Sequence, residues 1–281
     1  MKHALIYTFL LMALLLACQR MPSTSARQAP LLFAGYEALN PSEKRWADSL
    51  LHYALDHEAL YTLADTLKPI STVKSFAFTV EDSTLSEGTA EVALNQAALD
   101  SVRSLQRILK ALSGPELEFV LMPFHQLYER HRRYLDVVVC RRSVLDRKLR
   151  QYAPFFGQWG LTEGASAGMV VLLTEYEAPH DRYRAYGYLF GYPKHAVDFF
   201  VQASQQQKKT SQFVKRDFFH IPTHNAKQGY FTYAVPKGYR AAAIDSVIYQ
   251  RAMHTLNRYR KQRMHYVTPQ GLKAIDLLRA W

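Results

Sequence analysis

The chain has 281 residues, 48 % of them hydrophobic, which is enough for one sizeable core or at most two small ones, and a single domain is expected. It has two cysteines, Cys18 and Cys140, so a framework of several disulfides is excluded. The formal charge of +11 is uneven: Glu129 to Arg150 holds eight Lys or Arg against three acids, net +5, and Lys237 to Arg263 holds seven against one, net +6. Stretches of this kind either meet polyanions or form a solvated surface that keeps the protein soluble.

The first eighteen residues read MKHALIYTFLLMALLLAC. Lys2 and His3 make a short basic start, Ala4 to Ala17 is an apolar run broken only by Tyr7 and Thr8, and Ala17 precedes Cys18. Features in this order describe a secretory signal. The run is shorter than the roughly 20 residues a membrane-crossing helix needs. Leu15-Leu16-Ala17-Cys18 resembles the lipobox of bacterial lipoproteins. The resemblance implies a signal peptide over residues 1–17, cleavage before Cys18, and acylation of its thiol and new amino terminus. Gln19 stands where a retention aspartate would be, which implies the outer membrane. Each buried methylene contributes roughly 0.8 kcal/mol, so several acyl chains hold far better than one. Loss of Lys2 leaves a charge of +10, and acylation of Cys18 leaves Cys140 without a disulfide partner. In the envelope the polyanions are lipid headgroups, lipopolysaccharide and acidic glycans, so nucleic acid is not an expected partner.

Residues 18–39 carry Pro22, Ser23, Thr24, Ser25 and Pro30 without a sustained period, and predict a lipidated tether. The folded domain is expected over residues 40–281. Asn40-Pro41-Ser42-Glu43 reads as a helix start, with Asn40 as cap and Glu43 reaching back to it. Trp46, Leu50, Ala54, Tyr61 and Ala64 then recur at helical spacing until Pro69. His57 falls within that stripe and reads as a core histidine satisfied by a neighbour. Thr72 to Val80 predicts a strand, residues 86–88 a turn, and Asn95 the cap of a helix whose Leu99, Val102, Leu105, Leu109 and Leu112 run on to Gly114-Pro115.

Strands are predicted over Glu116 to Met122 and Tyr134 to Cys140. The second holds Val137-Val138-Val139, apolar on both faces, and so predicts a central strand covered on both sides with Cys140 as a buried small hydrophobe. Helices are predicted over Ser143 to Tyr152, over Ala165 to Glu177 with Met169, Leu172, Leu173 and Tyr176 as its pattern, and from Pro193 to Gln205. Tyr183 to Tyr192 predicts a strand, and Phe213 to Phe219 fits helix or strand. Another strand is expected over Tyr230 to Val235. A long helix from about Ala241 to Gln262 would turn Ile244, Val247, Ile248, Leu256 and Tyr259 inward and Arg251, Arg258 and Lys261 outward. A short helix from Pro269 closes the chain. Interleaved helices and strands predict an α/β or α+β domain with a mixed sheet flanked by helices.

Four stretches could carry chemistry. Gly164-Ala165-Ser166-Ala167-Gly168 matches G-x-S-x-G, the serine nucleophile elbow, and a later acid and histidine, Asp198 with His220 or His224, would complete the order. The segment before it reads as loop rather than as the apolar strand an elbow follows. His220 and His224 have a metal-pair spacing, but Pro222 between them argues against a helix and no further ligands make a set, so no metal is expected. In an extended Tyr186 to Tyr192, Tyr186, Tyr188, Phe190 and Tyr192 would line one face, able to stack on sugar rings or to form core. The basic residues Arg132 and Arg133, Arg141 and Arg142, and Arg147 and Lys148 lie at the two ends of the central strand and on the helix after it, where they could contact phosphate or carboxylate. The expectation is a lipid-anchored envelope protein that binds an acidic glycan or a protein partner without catalysis and without a cofactor. The alternative is a serine hydrolase centred on Ser166.

Overall fold

Four consecutive apolar residues on a strand, Val137 to Cys140, can avoid water only if both faces of the strand are covered. In the computed structural model, which describes residues 32–79, 96–129 and 132–281, they lie in the middle of a three-stranded antiparallel sheet. Its strands are β1 (Ile70–Thr79), β2 (Leu117–Pro123) and β3 (Arg132–Arg141), with β3 between the other two. Val138 faces Thr72 on one side and Val120 on the other. Alternate side chains of β3 enter two separate cores, Val137 and Val139 one, Val138 and Cys140 the other. Cys140 is a free, fully buried thiol, and burial pushes its pKa up, so it is a packing residue.

Helices α1 (Pro41–Asp56), α2 (Leu60–Leu63) and α3 (Gln96–Leu112) build the first core. The second is built by α4 (Arg142–Gln151), α5 (Ala153–Phe156), α6 (Ala167–Tyr176) and α7 (Pro179–Leu189). Helix α8 (Lys194–Thr210) contributes to both and leads into a hairpin of β4 (Arg216–Ile221) and β5 (Phe231–Pro236). The chain returns to the first core through α9 (Ala243–Tyr266), a two-residue hairpin of β6 (Val267–Thr268) and β7 (Gly271–Leu272), and α10 (Ala274–Arg279). Helices thus flank sheet as the sequence predicts; every described strand pair is antiparallel. Residues Leu32 to Trp281 form one compact unit. None of the described helices is long and apolar enough to cross a membrane.

Local signals explain the first helix. Asn40 Oδ1 accepts from the Glu43 N–H at 2.9 Å and Glu43 Oε2 accepts from the Asn40 N–H at 3.3 Å, a reciprocal cap with Pro41 in the first turn. The apolar stripe expected to run on to Ala64 is interrupted after Asp56. There the Asp56 carbonyl accepts from the Asn225 N–H at 3.0 Å, and its carboxylate accepts from the Tyr259 hydroxyl and the Arg263 guanidinium of α9. Tertiary partners therefore end α1 and start the short α2. His57 is a satisfied core histidine: Nδ1 donates to the Tyr53 carbonyl at 2.7 Å and Nε2 accepts from Asn225 at 3.4 Å.

Several expectations are corrected. The tether expected to run to Leu39 ends sooner, since Phe33 is buried in the first core and Ala34–Ala38 form a 3₁₀ turn. Tyr183 to Leu189 is helical, not extended, because Pro179 opens a helix whose Tyr186 and Phe190 stack four residues apart, with ring centres 5.3 Å apart. In α6 the four residues of the expected pattern, Met169, Leu172, Leu173 and Tyr176, face solvent, while Ala167, Val170 and Val171 fill the core. Ile244 and Val247 of α9 are likewise exposed. The closing helix starts at Ala274, after the β6–β7 hairpin. The leader with Cys18, the turn at 86–88, the Asn95 cap, and Arg130 and His131 lie outside the described residues.

Helix α7 lies against α8 closely enough that a Cβ on Gly187 would sit 2.6 Å from a Val197 methyl. Gly187→Ala is therefore expected to destabilise the protein by about 1–3 kcal/mol through overpacking. Gly157 has φ −63°, and a Cβ added there would meet no atom within 4 Å, so Gly157→Ala should be neutral or stabilising by up to about 1 kcal/mol. Urea unfolding of the two variants checks the contrast.

Candidate functional site

A cleft of about 750 Å³ lies between α4, the Thr66–Leu67 segment, the α7–α8 turn and the start of α9. Its shape depends on one backbone approach. Gly191 has φ 78°, and a Cβ there would lie 2.7 Å from the Leu67 carbonyl oxygen, so only glycine lets the turn rest on that segment. Tyr192, Lys194 and His195 follow directly and form one wall.

The opposite wall is α4. Its apolar residues Val144, Leu145 and Leu149 are buried, which turns Arg147, Lys148 and Arg150 toward the cleft and solvent. Arg251 of α9 completes the basic lining, and no described aspartate or glutamate lines the cleft. Three of the five cations are balanced from behind: Arg150 by Glu163, Lys194 by Asp198, and Arg251 by Asp65. Arg147 and Lys148 form no ion pair with any described residue. The Lys148 ammonium donates to Gln151 Oε1 at 3.1 Å and lies 5.6 Å from the centre of the Tyr152 ring. Burial pulls its pKa down, and the charge of Arg147 adds to the effect. An anion placed beside the two would relieve that repulsion.

His195 is held by what lies beneath it. Its ring stacks on Tyr239 with centres 5.3 Å apart, and Nε2 is 3.0 Å from the Tyr239 hydroxyl and 3.4 Å from Asp245 Oδ1. Asp245 is fully buried in the first turn of α9. It accepts from the hydroxyls of Tyr233 and Tyr239 at 2.6 and 2.7 Å and from the Ala242 N–H at 2.8 Å. Burial alone would raise its pKa; those donors outweigh it and hold the carboxyl below its ordinary value.

The residues singled out from sequence are mostly consumed by the fold. Ser166 caps α6, its Oγ accepting from the Met169 N–H at 3.2 Å. Its φ of −63° and ψ of 139° are ordinary extended backbone, not a strained elbow, and none of its hydrogen bonds reaches a histidine. His220 Nδ1 meets the Thr232 hydroxyl across the β4–β5 ladder at 2.9 Å, while His224 meets the Tyr259 ring edge-on. Among the described residues no group of three His, Cys, Asp or Glu could hold a metal ion. Arg141 caps the end of α2 by donating to the Thr62 and Leu63 carbonyls, and Arg142 pairs with Glu118. Arg133 donates to the Phe124 and His125 carbonyls, and Arg132 lies 3.5 Å from Glu129. Tyr186 is largely buried, with its hydroxyl on Glu175, and Tyr188 is buried in a stack on Tyr152. Of the expected aromatic ladder only Tyr192 reaches the cleft. Arg147 and Lys148 are visible in sequence as a basic pair; Lys194, His195 and Arg251 are not, because 46 or more residues separate each from that pair.

No family model, no curated protein and no solved structure matches the chain.

Tyr233→Phe removes one donor from buried Asp245 and should cost about 1.5–3 kcal/mol at neutral pH. The charge-dependent stability from Asp245 is complete above its unfolded-state pKa near 3.8 and is lost as pH falls through the lower folded-state value. The deficit of the variant should therefore narrow as pH drops below that range. Chemical unfolding across pH tests this, and a deficit that stays constant with pH would assign Tyr233 to packing alone.

Proposed function

We propose that the protein is a lipid-anchored component of the bacterial cell envelope that binds an anionic ligand in the basic cleft without catalysing a reaction. The observation that carries the reading is the lining: five Lys or Arg and His195, no carboxylate, and two cations without an acid partner. An oxyanion placed between Arg147 and Lys148 would gain charge-assisted hydrogen bonds from a guanidinium and an ammonium at once. The half-buried rings of Tyr152 and Tyr192, one face of each stacked on Tyr188 and on Phe231, would present what remains of their apolar surface to a sugar. A phosphorylated or carboxylated envelope glycan combines these two properties. The leader and Leu15-Leu16-Ala17-Cys18 support the anchor, which would hold such a cleft near acidic glycans.

The test is calorimetric titration with a phosphorylated lipopolysaccharide core oligosaccharide and with its dephosphorylated form. The phosphorylated ligand should bind, more weakly as salt is raised, and the Arg147→Gln, Lys148→Gln double variant should lose about tenfold or more in affinity. Binding that ignores both the phosphate and the double substitution, or no binding at low salt, would overturn the reading. Mass spectrometry of the amino terminus from the native host tests the anchor, with an acylated Cys18 as the expected first residue.

A further inference from the structure

A second cavity has the opposite electrostatic character. It occupies about 180 Å³ between the sheet and the α6–α7 pair, bounded by Asp136 of β3, Glu175 of α6, Phe124, Tyr186 and Phe190. An outer cavity of about 270 Å³ adjoins it, walled by Tyr128 and Tyr134 and sharing Phe124 and Asp136. Asp136 therefore stands where the inner space meets the outer. Neither cavity shares a lining residue with the basic cleft.

The two acids are not equally satisfied. Glu175 is 2 % exposed, accepts from the His125 N–H at 3.1 Å and the Tyr186 hydroxyl at 2.8 Å, and has the Arg182 guanidinium 3.9 Å away. Asp136 is 7 % exposed and has one hydrogen bond, from the Ser75 hydroxyl to Oδ1. Its Oδ2 accepts from no described residue, and no described cation pairs with it. Burial raises its pKa, and the nearby charge of Glu175 adds to the rise. A largely buried carboxylate with no described cation beside it is left to pair with a positive charge from outside the chain.

Around this uncompensated acid the walls are aromatic. Tyr186 and Phe190 stack with ring centres 5.3 Å apart, and Tyr128 sits between Phe124 and Tyr134 at 6.2 and 5.1 Å. Aromatic faces attract cations and exclude water, and apolar walls accept alkyl groups. A metal ion would find neither a third carboxylate nor a histidine on the inner lining. We propose that this cavity binds a small organic ammonium ion, with an N–H of the ammonium donating to Asp136 Oδ2 and the alkyl part lying against Phe124 and Phe190. The ligand would supply the positive charge that Asp136 lacks.

The experiment is calorimetry of the folded protein with butylammonium chloride and with butanol, its neutral analogue of equal chain length. Butylammonium should bind about tenfold or more tightly than butanol, and Asp136→Asn should abolish that preference. Asparagine keeps an acceptor for Ser75, so without ligand the variant should melt no lower than the parent. Phe190→Leu retains the acid but removes a ring, and should weaken butylammonium about threefold, which keeps the proposal testable if Asp136→Asn fails to fold. Equal binding of the two probes, binding unchanged in both variants, or binding of neither probe would overturn it. These outcomes are independent of the anionic-ligand titration, because no residue is common to the two sites.

Discussion

The structure depends on the double burial of β3. Val137 to Cys140 are all but inaccessible to water, and their alternation sends each neighbour into a different core. Both faces of the sheet must then be roofed with helices, and the chain crosses from one face to the other to do so. The crossings produce the concavities. The basic cleft opens where the α7–α8 turn rests on the Leu67 backbone, and the acidic cavity lies where α6 and α7 cover the sheet around Asp136. Asp136 itself is a product of the same constraint, since the strand that is buried to supply Val137 also buries the residue before it.

Charge follows a consistent rule elsewhere in the fold. Asp56 and Asp245 are buried; Asp56 accepts from one tyrosine hydroxyl and a guanidinium, and Asp245 from two tyrosine hydroxyls and a backbone N–H. Lys68 is fully buried and is bonded to Glu58, with its ammonium 4.7 Å from the Phe231 ring centre. Burial lowers its pKa, and the negative charge of Glu58 opposes that effect. Arg141 is spent on the carbonyls at the end of α2. Arg147 and Lys148 in the cleft and Asp136 in the cavity, by contrast, form no ion pair with any described residue.

Much of the secondary structure was legible because it is coded locally. The Asn40 to Glu43 cap acts within four residues, Gly114-Pro115 ends α3, and an all-apolar strand can only be central. Other elements were ambiguous for physical reasons. Tyr186 to Tyr192 alternates aromatic and non-aromatic residues, which satisfies a period of two, yet Tyr186 and Phe190 also satisfy the i, i+4 spacing of a helix, and the fit of Gly187 against Val197 selects the helix. Residues 169–173 are apolar without interruption, so no periodicity could say which side of α6 would face the core. G-x-S-x-G reads identically as an elbow and as a helix cap, and the turn that precedes it decides for the cap.

By itself the sequence determined the capped start of α1 at Asn40 to Glu43, the mixture of helix and sheet, and the need for a strand covered on both faces. Each of these rests on contacts between near neighbours or on composition. Which charges end up balanced was decided by the tertiary structure alone, because Arg251 meets Asp65 and Arg263 meets Asp56 across about two hundred residues of chain. Only after those pairings are made do Arg147 and Lys148 in one cleft and Asp136 in another cavity become visible as charges that line a concavity without an ion partner among the described residues.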